Sequence, residues 1–143
     1  MDDSEKTELT PANDNPWYWL ATVYGEQTSE RIDEDFAKKN RIAWNRWVAA
    51  ALSEEKRATL IEKYFAAAEL TPFSDIEKKE HYDAVLERSG RESITLPEPS
   101  ERVDLHSISF HNSCTFSGYL FPNNVDFLWA TFSKRADFSS AVF

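Results

Sequence analysis

Eight large apolar residues recur through the last third of this chain at strictly alternating steps. Leu105, Phe110, Phe116, Phe121, Phe127, Phe132, Phe138 and Phe143 are separated by 5, 6, 5, 6, 5, 6 and 5 residues. Every phenylalanine after Phe73 falls on this ladder. Two positions before each rung stands a second apolar residue, usually small: Val103, Ile108, Cys114, Tyr119, Val125, Ala130, Ala136 and Ala141. The flanking positions are mainly Ser, Thr, Asp, Asn, Lys or His, with Leu120, Leu128, Trp129 and Val142 as exceptions. A helix repeats its apolar residues every three or four positions and a strand every two. A period of five and six fits neither. It fits a repeat architecture, in which short units stack to bury a continuous core.

Two steps of 5 and two of 6 make a 22-residue period. Shifting the sequence by that period lays Val103-Asp104-Leu105 on Val125-Asp126-Phe127, and Cys114-Thr115-Phe116-Ser117 on Ala136-Asp137-Phe138-Ser139. The shift predicts that Leu105 stacks on Phe127, Phe110 on Phe132, Phe116 on Phe138 and Phe121 on Phe143. Where the step is 6, the extra residue falls in His111-Asn112-Ser113, Pro122-Asn123-Asn124 or Ser133-Lys134-Arg135. These polar, turn-forming triplets suit wide exposed corners.

The pattern resembles the pentapeptide-repeat family, whose units read roughly A-(D/N)-(L/F)-x-x. The runs VDFLW, ATFSK, ADFSS and AVF match closely, and VDLHS, ISFHN and CTFSG loosely. YLFP departs most, with Tyr119 where a small residue is usual. The resemblance implies a right-handed quadrilateral β-helix of about two coils, with the ladder residues and those two positions earlier inside. NPWYWLATVYGEQ and NRIAWNRW are similar to leader segments that precede such repeats in bacterial proteins; that likeness carries no activity with it.

The rest of the chain reads differently, so the expected fold is α+β. Residues 1–14 are polar and expected to form a disordered tail. Residues 15–96 are expected to form a helical region that caps the repeat, and residues 97–143 the repeat itself. Asn15-Pro16 has the form of a helix start, with Gly25 as its stop. Apolar residues from Ile32 to Ala51 predict a long helix over 30–51. Ser53 and Ser74 open two more helices, and Thr71-Pro72 and Gly90 close them. Pro97 and Pro99 mark the change of period. Aromatic residues at helical spacing here are read as core.

Charge is uneven. The chain has net charge −9, yet residues 101–143 hold four acidic and three basic side chains, so the acidity belongs to the helical part. An acidic chain repels phosphate, which argues against nucleic acid or an anionic membrane as partner. No run reaches the ~20 apolar residues of a membrane helix. A lone cysteine, Cys114, and no secretory leader predict a reducing, cytoplasmic setting. Cys114 falls on an inward position, where burial makes a thiol inert. His106 and His111 each follow a rung and should point outward; with His81 the only other histidine, no metal set is expected. No nucleophile–base pair or glycine-rich phosphate loop is visible, and no catalytic residue, cofactor or metal is expected.

The expected function is therefore a non-catalytic protein–protein interaction or assembly module. The alternative, implied by the resemblance, is a DNA mimic acting on a type II topoisomerase. Such mimicry needs a long acidic rod, whereas two coils at ~4.8 Å spacing make a short one. Nothing after Phe143 covers the second coil. Either the chain is a truncated form of a longer repeat protein, or the open end, with Val142 and Phe143 as candidate contacts, pairs two copies as a homodimer.

Overall fold

The computed structural model describes residues 8–29 and 31–143 as a mixed helix-and-strand protein. Four α-helices precede six of the seven short strands. Helix α1 (Pro16–Ala21) starts where the sequence predicts: Asn15 accepts a hydrogen bond from Trp17 N, and Pro16 takes the first helical position. It ends four residues before Gly25, at Thr22, whose N–H and hydroxyl both donate to Tyr18 O, at 3.0 and 2.6 Å. Helix α2 (Glu34–Ala49) is shorter than the expected 30–51, since Asp33 caps its first turn. Residue 30 lies outside the described residues. Helix α3 (Glu54–Lys63) is capped by Ser53. Helix α4 (Asp75–Ser89) begins with a reciprocal Ser74–Glu77 capping box and ends at Gly90 in the left-handed region, φ 71°.

From Val103 onward the backbone forms two stacked layers. Strands β2 (Val103–Asp104), β3 (Ile108–Phe110) and β4 (Cys114–Thr115) of the first layer pair in parallel with β5 (Val125–Asp126), β6 (Thr131–Phe132) and β7 (Ala136–Asp137) of the second. A fourth parallel bridge joins Leu120 to Val142. Each of these four pairings has the 22-residue offset that the ladder dictates. Phe110 stacks on Phe132 at 4.6 Å and 5°, Phe116 on Phe138 at 5.1 Å and 13°, and Phe121 on Phe143 at 5.3 Å and 15°.

The alternation of 5 and 6 has a backbone cause. After each rung at 105, 116, 127 and 138 the chain makes a tight corner with Ser107, Gly118, Trp129 or Ser140 at positive φ. The residue before the rung supports that corner. Asp104, Thr115, Asp126 and Asp137 each accept the N–H two residues on, at 2.9–3.2 Å. These side-chain-to-backbone turns are what short polar residues do well. The steps of 6 are the wider corners through residues 111–113, 122–124 and 133–135.

The expected disordered tail over 1–14 is corrected where it is described. Residues 1–7 lie outside the described residues. Thr10–Pro11 form a strand, β1, that pairs in parallel with β3 on the side opposite β6, and Ala12–Asp14 form a 3-10 turn. Thr10 supplies a backbone partner that β3 lacks within the repeat, and Pro11 suits an outermost strand, which needs no N–H on its free side. Helices and layers share one core. Trp17, Trp19, Trp44 and Val48 pack in the same buried cluster as Leu105, Phe110, Phe116 and Phe121. No helix among the described residues is long and apolar enough to cross a membrane.

Candidate interaction surface

The two ends of the stack differ in how their backbone and side chains are satisfied. At the helical end the first layer is closed by side chains standing in for another layer. Asn45, fully buried, donates from Nδ2 to Gly118 O at 3.0 Å and accepts from Leu120 N at 2.9 Å. One amide thus copies the two bonds that a neighbouring strand would make. Trp44 Nε1 donates to Leu120 O at 2.8 Å, and Asn15 Nδ2 to Asp104 O at 3.1 Å. Thr10 N donates to Ser107 O at 2.9 Å. Tyr119, the bulky exception in the repeat, uses its size here: its hydroxyl reaches Ala21 O at 2.7 Å and its ring lies 5.9 Å from that of Trp44. Glu26 ties the pieces together, accepting from Asn13, Tyr18 and Asn112. Burial alone would raise its pKa, but those bonds and Arg88 outweigh it, and the carboxyl titrates below its ordinary range.

On the far side of the second layer nothing among the described residues plays this part. Val103, Leu105, Cys114 and Phe116 donate their N–H groups to the second layer. Their counterparts Val125, Phe127, Ala136 and Phe138 face away from the first layer, with no described strand beneath them. The rungs show the same asymmetry. Leu105, Phe110, Phe116 and Phe121 are buried. Phe127 and Phe138 are half-buried, and Phe132 and Phe143 are 36% and 62% exposed. Phe127, Phe132, Phe138 and Phe143 line a shallow apolar depression of about 410 Å³ together with Asn124 and Val125. Of the two expected contact residues, Phe143 is exposed. Val142 is half-buried against the core, and its backbone bonds Tyr119 O and Phe121 N in the first layer. The second layer also carries Leu128 and Trp129, 57% and 48% exposed, which the sequence marked only as exceptions.

The titratable groups considered as chemistry resolve into local structure. Cys114 is a buried free thiol, pushed up to about 12 by burial. His106 and His111 are exposed. His106 Nδ1 bonds Asp104 Oδ1, and that bond holds the imidazole above its ordinary pKa. Asp126 lies close enough for Asp104, His106 and Asp126 to bring donor atoms within 4.8 Å of one another. Asp126 is itself paired with Arg102 at 3.5 Å, so the exposed cluster is accounted for by its own ion pairs. His81 is buried beside Phe73, its ring 4.8 Å away, and burial lowers it to about 4. It lines a cleft of about 400 Å³ with Trp47, Tyr82, Leu96 and Pro97, and its Nε2 has no hydrogen-bond partner among the described residues.

No family model matches the chain, and no curated protein or solved structure shows significant similarity to it.

Proposed function

We propose that this chain is a pentapeptide-repeat protein, that residues 103–143 form two coils of a right-handed quadrilateral β-helix, and that the protein works as a non-catalytic interaction module through its C-terminal coil. One observation carries the reading: the same apolar ladder is sealed in the first layer and open in the second. A solenoid needs both ends covered, and unpaired strand edges beside exposed aromatic rings are a template for association. The free buried Cys114 suits a reducing, cytoplasmic setting.

The partner proposed is a second copy, meeting the first end to end across a two-fold axis. Light scattering over a range of concentrations tests this on the wild type and on a Val142→Lys, Phe143→Asp double variant. The expected result is a concentration-dependent dimer that the double variant abolishes. A strictly monomeric wild type with slow amide exchange across 125–143 would overturn it. The topoisomerase-directed DNA mimic draws no support from charge, since the repeat segment, residues 101–143, carries a net charge of only −1.

A further inference from the structure

The cleft around His81 lies between helices α2 and α4 and the stretch of chain that joins α4 to β2. Trp47 of α2, Tyr82 of α4 and Phe73 supply aromatic walls, and Pro97 and Pro99 close it from the connecting stretch. Tyr82 pins that stretch, donating from its hydroxyl to Ile94 O at 3.1 Å. Each proline fixes its own φ, so this wall is stiff before anything binds. At about 400 Å³ the cleft has the size and the largely apolar, aromatic lining of small-molecule sites. Its inner polar groups are committed, with one exception. Arg46 donates Nε to Thr71 O at 2.9 Å and its two terminal nitrogens to Glu77 at 2.8 and 2.9 Å, and its guanidinium lies 4.7 Å from the centre of the Phe73 ring. The exposed side chains of Lys78 and Glu98 bring one charge of each sign, so with Arg46 paired the lining is balanced. The exception is His81. It is 9% exposed, and its Nε2 is buried without a hydrogen-bond partner among the described residues. An unpaired buried polar atom weakens a fold, and a phenylalanine would fill the same space without that loss. A neutral imidazole keeps one lone pair for a donor. Burial, which lowers this one to about 4, keeps it neutral at pH 7.

We infer that this cleft is a binding site for a small, uncharged, planar aromatic molecule carrying one N–H or O–H group, which lies against Trp47 and Tyr82 and donates to the imidazole of His81. The aromatic and proline walls suit a flat apolar body. An ion of either sign would meet one attracting and one repelling side chain, and would give up its hydration to apolar walls. The ligand's single polar group answers the single unpaired polar group of the lining. Water does not touch Nε2, so the imidazole turns toward the cleft to accept that bond, and its resonances report the event. The cleft shares no residue with the depression of the second layer, and the inference does not depend on the association proposed above.

Two probes of equal size test it: 3-methylindole, which has an N–H, and 1-methylindole, which has none. Each would be titrated into the full chain at pH 7 and followed by nuclear magnetic resonance. The expected result is saturable binding of 3-methylindole that shifts the ring signals of His81 and Trp47. Its dissociation constant should lie at least about fivefold below that of 1-methylindole, the worth of one net hydrogen bond. His81→Phe should bind both probes alike. Ala50→Trp, at an exposed position of the lining, should block both. Indole-3-carboxylate should bind no better than 3-methylindole. Equal wild-type affinities for the two methylindoles would overturn the role given to the imidazole, and this comparison needs no variant to fold. A preference that survives His81→Phe would overturn it too. Tighter binding of the carboxylate would overturn the uncharged class, and failure of both methylindoles to bind would overturn the site.

Discussion

Replacing Asn45 tests the idea that a single side-chain amide substitutes for a missing layer. Asn45 is 0% exposed. Its Oδ1 accepts from Leu120 N at 2.9 Å, and its Nδ2 donates to Gly118 O at 3.0 Å and to Glu69 Oε1 at 3.3 Å. Asn45→Ala leaves two backbone groups without partners under α2. Each stranded group costs about 1–3 kcal/mol, so the variant should lose about 2–6 kcal/mol in urea denaturation. Asn45→Asp keeps the shape and the acceptor for Leu120 N but turns a second oxygen toward Gly118 O and the Glu69 carboxylate. At neutral pH it should be at least as destabilising as alanine. The pH dependence has a definite sign. The fold would hold this carboxyl above its unfolded pKa of ~3.9. Its penalty is therefore present at neutral pH and fades as pH falls toward that value, where the protonated oxygen can donate to Gly118 O. Asn45→Ala has no such titration. An alanine variant within about 1 kcal/mol of wild type would refute the reasoning. So would an aspartate variant whose stability tracks wild type at every pH.

Three further outcomes are expected. Phe116→Ala, in the sealed layer, should cost about 3–5 kcal/mol, whereas Phe132→Ala, on the open side, should cost about 1 kcal/mol in urea melts of the monomer; equal losses would mean that the end is covered. His81, lowered to about 4 by burial, stays neutral in the fold while the unfolded chain protonates below ~6.5. Stability should therefore be intact above that pH and fall by about 3 kcal/mol on the way down to about 4, and His81→Phe should flatten the slope, which denaturation midpoints between these pH values would show. Gly118 combines φ +75° with a site where a Cβ would lie 2.8 Å from Arg41 Cδ; Gly118→Ala should cost about 1–2 kcal/mol, and a neutral effect would mean that the corner relaxes at no expense.

Much of the C-terminal third was legible because its information is periodic. The spacing of Leu105 and seven phenylalanines fixed which residues stack on which, and the 22-residue offset recurs in each strand pairing from Val103 to Val142. Helix starts were equally local: Asn15-Pro16, Ser53 and Ser74 sit where their caps are needed, because a cap is a bond between neighbours in sequence. The corners were harder to read. Asp104, Thr115, Asp126 and Asp137 recur every 11 residues, a signal present in the sequence but legible only once each is seen accepting the N–H two residues on.

What the tertiary structure alone decided is how the first layer is closed. Thr10-Pro11 carries no strand pattern of its own, and becomes a strand because β3 offers it an edge. Asn45 looks like one more polar residue in a helix until Gly118 and Leu120, more than seventy residues away, are brought against it. Tyr119 reads as a defect in the repeat until its hydroxyl meets Ala21 O. Each of these contacts satisfies a backbone group with a partner distant in the chain. A sequence pattern records what a residue does for its neighbours; which distant group it completes depends on the packed arrangement of α1, α2 and β1 over the first layer.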